Sequence, residues 1–183
     1  MKRLHVWCLV LPLLLSGCIV RGVSIMNQAE LPKDDMGYLY GRFRMENTGN
    51  VGLELVLTNM KNGLQYRIPL GRGSLFGKRK SDIYAFALRP GEYRLTHIAT
   101  VIAARGQINE QLSQFSDDRY SRPITVQAGM RQYLADFTGN VEISTFTASW
   151  GLSRITDNYE ETTNGLNELY AGLRGMPSRR LFE

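Results

Sequence analysis

Leu53-Glu54-Leu55-Val56-Leu57-Thr58-Asn59-Met60-Lys61-Asn62-Gly63-Leu64-Gln65-Tyr66-Arg67-Ile68-Pro69-Leu70 sets the fold class. Leu53, Leu55 and Leu57 project to one side, with Glu54, Val56 and Thr58 opposite. After Asn62-Gly63, Leu64, Tyr66, Ile68 and Leu70 alternate with Gln65, Arg67 and Pro69. A period of two marks a half-buried strand, because successive side chains point to opposite faces of a sheet. Asn-Gly supplies the positive φ of a tight hairpin turn. The segment therefore predicts an antiparallel hairpin. Pro69 has no amide to donate, which puts that strand end at a sheet edge.

The same period extends outward. Tyr38, Tyr40 and Arg42 alternate with Leu39, Gly41 and Phe43. Ile83 to Leu88 and Tyr93 to Val101 flank Arg89-Pro90-Gly91, where Pro presets the first central turn position and Gly accepts the second. They predict a second hairpin. The string Phe86-Ala87-Leu88-Arg89-Pro90-Gly91-Glu92-Tyr93-Arg94-Leu95 resembles a hairpin common in transthyretin-like and carboxypeptidase-regulatory-like β-sandwiches. That resemblance implies a sandwich and carries no activity with it. Pro123 to Gln127 and Gln132 to Phe137, around Ala128-Gly129, predict a third hairpin with Ile124, Val126, Tyr133 and Phe137 in the core. Val141 to Trp150 predicts one further strand. Between the second and third hairpins, Ile108, Leu112 and Phe115 sit at helical spacing, so Ala103 to Arg122 is a short helix or a long loop.

The chain closes on a helix pattern. Leu166, Leu169, Tyr170 and Leu173 form one face, Asp157 and Glu160 match a capping box, and Gly175 with Pro177 gives the stop. Gly165 and Thr162-Thr163 weaken its middle, so it must gain stability by packing on a sheet. The expected fold is mainly β: an antiparallel β-sandwich with a C-terminal α-helix packed on it. The expected division is 1–17 leader, 18–35 lipidated terminus and spacer, 36–155 sandwich, 156–175 helix of the same domain, and 176–183 tail.

The leader shows in Leu4 to Leu15, an apolar run behind Lys2-Arg3. Its roughly 12 residues fall short of the ~20 that span a bilayer. A basic start, a short apolar stretch and small residues before a cut describe an export signal. Leu15-Ser16-Gly17-Cys18 resembles the lipobox of bacterial lipoproteins. In that family cleavage falls between the residues here numbered Gly17 and Cys18. The resemblance implies that the Cys18 thiol carries a diacylglyceryl group and that its new amine is acylated. Membrane lipid is then the first partner. One acyl chain holds only marginally at about 0.8 kcal/mol per buried methylene, whereas two or three anchor stably. Cysteine usage agrees, because removing the leader removes Cys8 and leaves Cys18 alone, with no internal disulfide to form. Ile19 rather than Asp follows Cys18, which in enterobacterial lipoproteins implies the outer membrane.

Composition and motifs narrow the chemistry. Of 22 basic residues the leader holds Lys2 and Arg3, leaving 20 against 17 acidic. That mild excess predicts no nucleic acid partner. His97 is the one histidine beyond the leader, so His-rich zinc sites, a Cys–His dyad and other metal sets are not expected. No cofactor motif occurs. His97 is read as partly buried and structural, on one strand face with Tyr93, Leu95 and Val101. Gly71 to Lys80 is not a P-loop, since Arg72 stands where glycine is needed and Arg79 follows Lys78. Its Arg72, Lys78, Arg79 and Lys80 are candidates for surface contact with anionic lipid or an acidic partner, about 1 kcal/mol each. Asp117-Asp118 with Glu110 read as solvated loop acids, and Asp136 as solvent-facing. The function expected is a non-enzymatic envelope lipoprotein that binds or supports another envelope component. Two alternatives are a carrier of lipid or a small ligand, and an anchored cell-wall hydrolase using carboxylates.

Overall fold

Two sheets and one helix build the domain, in a computed structural model that describes residues 20–22, 25–46, 51–70, 82–104, 107–143 and 148–182. The first half of the chain forms β1 (Val20–Gly22), β2 (Gly37–Met45), β3 (Val51–Asn59), β4 (Gln65–Leu70), β5 (Ile83–Leu88) and β6 (Gly91–Ala104). The second half forms β7 (Gln107–Gln114), β8 (Ile124–Val126), β9 (Arg131–Tyr133), β10 (Asp136–Ile143) and β11 (Ala148–Thr156). After these come α1 (Tyr159–Leu169), a 3-10 turn at Ala171–Leu173, and β12 (Ser178–Arg180). Sheet one runs β1-β4-β3-β6-β7, with β8 also on β6; sheet two runs β11-β10-β2-β9-β12, with β5 also on β2.

The β3–β4 hairpin stands as expected, with Leu57 opposite Tyr66 and Gly63 at φ 69° in its turn. Asn59 and Asn62 tie that turn by accepting the Lys61 and Leu64 amides. Along the outer edge of β4, β1 pairs only as far as Arg67, so Pro69 lies past its reach. Sheet one is antiparallel except for β1. Sheet two is mixed, with β2 parallel to β9 and β10, and β12 parallel to β9.

The other two expected hairpins are corners. Arg89-Pro90-Gly91 leads from β5 in sheet two to β6 in sheet one, and the turn at Ala128-Gly129 leads from β8 in sheet one to β9 in sheet two. Burial is the physical reason. β5 has two apolar faces, Tyr84 and Phe86 toward the first sheet and Ile83 and Ala85 toward the helix, which only the middle layer can bury. β6 has one. A β-bulge at Val56/Leu57 inserts an extra residue in β6, so His97 pairs with Val56 on the outer face while Tyr93 and Leu95 point inward.

Further corrections follow the same logic. The 103–122 stretch holds a strand, β7, whose Leu112 lands on the outer face at 47% exposure. The strand expected at 141–150 is an antiparallel hairpin of β10 and β11. The 18–35 spacer is partly docked, since β1 pairs with β4, Ile25 bridges Phe86 and Met26 is buried. The 176–183 tail supplies β12 and the buried Phe182. The helix starts one residue past the expected cap: Asn158 is the N-cap, while Asp157 accepts the Tyr159 amide.

Two apolar layers result. Between the sheets, Phe43 stacks on Tyr84 and Phe137 at 5.9 and 5.8 Å and meets Phe86 edge-on at 5.3 Å. Beneath α1, Tyr38, Tyr40, Ile83, Ala85 and Tyr133 pack against Leu166, Tyr170 and Leu173.

Candidate functional site

The helix layer is built around a buried carboxylate. β9 and β10 run along one edge of β2 but are interrupted at Leu134-Ala135. A Cβ at Gly41 would collide with the Ala135 carbonyl oxygen, so glycine lets the interruption come close. There the ladder loses a backbone acceptor, and the Arg42 amide donates instead to Asp136 Oδ1 at 3.1 Å. Tyr133 OH also donates to Oδ1 at 3.1 Å. Thr162 Oγ1 lies 3.0 and 2.9 Å from the two oxygens, and Asn158 Nδ2 donates to Oδ2 at 3.1 Å. Asp136 is 4% exposed, the reverse of the solvent-facing position expected. Strand alternation misleads here because α1 covers the outer face of this sheet.

Further polar contacts surround this hub, although the buried Arg131 Nε has no hydrogen-bond partner among the described residues. Tyr133 OH accepts the Asn158 amide at 2.9 Å. Burial pushes the Tyr133 phenol up, with the Asp136 carboxylate adding to the rise and the Asn158 amide opposing it. The phenol therefore stays neutral and donates. Tyr40 OH sits between Thr163 and Ser178 at 2.7 and 2.8 Å, and Arg131 reaches Asn167. Every oxygen of the carboxylate is engaged by protein donors. This constellation clamps α1 to the sheet and offers no open face to a substrate.

The flank where both sheets end is different. β7 closes sheet one and β11 closes sheet two, and among the described residues neither outer edge is paired. Between them lies a cleft of about 400 Å³. Phe115 and Tyr120 are buried in its floor beside half-buried Ile98, Leu152 and Ile155. Its rim is Gln114, Ser116, Asp117, Ser153 and Arg154, all exposed. Asp117 holds the rim's shape by accepting the Arg119 and Tyr120 amides at 3.0 and 3.1 Å. Ser153 Oγ donates to the Thr138 carbonyl at 3.2 Å. Arg154 has no ion-pair partner among the described residues. Burial raises the Tyr120 phenol, with Arg119 opposing and the acids Asp157 and Asp117 adding to it. An apolar floor with a polar rim and one unpaired cation is the composition of a binding cleft.

The outer face of sheet one carries an ion triad. Arg67 lies between Glu54 at 3.4 Å and Glu110 at 2.5 Å. Burial lifts the Glu54 carboxyl above its ordinary range; Arg67 opposes this and Glu110 adds to it.

Gly17, Cys18, Arg72, Lys78, Arg79 and Lys80 lie outside the described residues. Glu110 and Asp117 are not brought together: one pairs with Arg67 and the other caps a turn. His97 is half-buried, its Nδ1 without a hydrogen-bond partner among the described residues. Among those residues no three His, Cys, Asp or Glu side chains assemble as metal ligands, and no helix is long and apolar enough to cross a membrane. The cleft escaped sequence reading; its one signal is Phe115 and Tyr120, two aromatic residues within an otherwise polar stretch.

No family model matches the chain, and no curated protein is similar to it. Among solved structures, the chain is similar to a leucine-rich repeat protein from Bacteroides thetaiotaomicron at 13% identity and a TM-score of 0.31. That likeness covers 60% of this chain and 14% of the other, and it carries no argument.

Proposed function

We propose that this chain is a bacterial envelope lipoprotein, anchored through acylated Cys18 in the outer membrane, whose sandwich binds another envelope component without catalysing a reaction. The lipobox-like Leu15-Ser16-Gly17-Cys18 supports the anchor. The flank cleft between β7 and β11 carries the binding role. Two strand edges beside an apolar floor favour an extended polypeptide segment, which gains main-chain hydrogen bonds from an edge and side-chain burial from the floor. Arg154 adds attraction for an acidic group on that segment. The reading uses no metal, cofactor or nucleic acid. The buried Asp136 hub favours a structural over a hydrolytic role for the best-organised carboxylate.

A photo-crosslinking residue placed at Ser153 in the native host tests this directly. Irradiation should give one discrete adduct, absent when the same residue is placed at exposed Glu168 on α1. The same adduct pattern at both positions, or none at Ser153, removes the cleft as the binding site.

A further inference from the structure

We infer that the domain stands end-on to the membrane, with the β3–β4 turn and the β5–β6 corner resting on the lipid leaflet. This rests on the lipoprotein reading and gives the anchored body an orientation. Its origin is the register of β1. Val20 lies beside Gln65, Arg21 beside Tyr66 and Gly22 beside Arg67, with β1 parallel to β4. Followed backward, the chain leaves β1 in the direction of the Asn59–Leu64 turn. Only Ile19 separates Val20 from Cys18, and those two residue steps reach at most about 7 Å. Acyl chains on Cys18 therefore pull this end of the sandwich onto the leaflet, where a long spacer would leave it free to tumble.

The surface at that end fits a lipid interface. Leu31 at 76%, Met60 at 47% and Leu112 at 47% are the exposed large apolar side chains of the described residues. Met60 sits in the β3–β4 turn itself. Leu31 packs by Gly172 just past the C-terminal end of α1, and Asn167 of that helix is tied to Arg131, which opens β9 at the same end of the sheets. Leu112 lies on the outer face of β7, away from this end. Between turn and corner is a recess of about 710 Å³ lined by Met60, Lys61, Leu64, Arg89 and Pro90. Lys61 and Arg89 are exposed cations there, against Glu92. Apolar side chains that dip into the headgroup boundary, flanked by basic residues that meet phosphates, are the elements of interfacial binding. β4 runs from Gln65 to Leu70, roughly 17 Å at strand rise, away from this surface. Headgroup contact is assigned to Lys61 and Arg89.

The test uses the acylated full chain in vesicles of phosphatidylethanolamine and phosphatidylglycerol. An environment-sensitive dye is placed on an introduced cysteine at Met60, Arg89 or Asn109, the last on β7 at the far end. Cys18 is blocked as a thioether, so labelling is unique. Lipids with a headgroup nitroxide should quench the dye at Met60→Cys and Arg89→Cys and leave Asn109→Cys bright. The intact mass of the same sample reports acylation. Acylated protein with equal quenching at all three sites, or more at Asn109→Cys, overturns the orientation and leaves the anchor standing. A free Cys18 thiol overturns both. If Met60→Cys misfolds, Arg89→Cys supplies the same readout.

Discussion

The layer between the two sheets and the layer beneath α1 hold their elements together by opposite means. Between the sheets the layer is mostly apolar, with buried Gln132 tied to Gln127 and Thr125 as an exception. There Phe43, Tyr84, Phe86 and Phe137 meet ring to ring. Beneath the helix, tyrosines and leucines surround a carboxylate that takes donors from β2, β9 and α1 at once. An apolar layer is non-directional, so it loses stability in proportion to the volume removed. A buried polar hub is all or nothing, since each missing partner leaves a group desolvated without compensation. The first layer gives the sandwich its strength. The second specifies where the helix sits.

The largest effect belongs to the dry layer. Phe43→Ala removes a ring with no exposed surface and should cost about 4 kcal/mol, read as the midpoint of urea unfolding. Phe43→Leu should recover most of that loss. Asp136→Asn presents an amide N–H to donors that need an acceptor, and should cost about 3 kcal/mol despite its near-identical volume. Equal tolerance of Phe43→Leu and Asp136→Asn would erase the contrast between the layers. Thr162→Val keeps shape and removes one donor from the carboxylate, for about 1 to 2 kcal/mol. In hydrogen exchange its loss should appear first in α1, before sheet one is touched.

The smallest effect sharpens the comparison on the outer face of sheet one. Because burial raises the folded-state pKa of Glu54 above the ordinary 4.5, the folded chain holds that proton more tightly than the unfolded one. Its contribution is therefore most favourable below about pH 4.5 and declines as pH rises through the folded value. Glu54→Gln should make the fall in stability from acid toward neutral pH shallower, measured as thermal midpoint against pH. An unchanged slope would show that Arg67 fully compensates the burial.

Much of this fold was legible because it is local. The β3–β4 turn follows from Asn62-Gly63, the two faces of β2 from simple alternation, and the docking face of α1 with the 3-10 turn after it from Leu166, Tyr170 and Leu173. The helix α1 itself ends at Leu169 and not at the expected 175. What escaped depends on long-range partners. Pro90-Gly91 and Gly129 mark changes of direction, but whether a chain reverses within one sheet or crosses to the other depends on which faces must be buried. The extra residue at the β6 bulge turns His97 outward and breaks parity silently. Asp136 reads as surface until the helix, some 20 positions later in the chain, covers it. The flank cleft needs β7 and β11, two strands remote in sequence, to end side by side.

The proposed anchoring at Cys18 underlies both the proposed envelope role and the inferred end-on stance, and an intact mass of the protein extracted from its native host tests it most directly. The mass expected is that of a chain beginning at Cys18 and carrying two or three fatty acyl chains. A chain with residues 1–17 still attached, or one beginning at Cys18 with a free thiol, would contradict it.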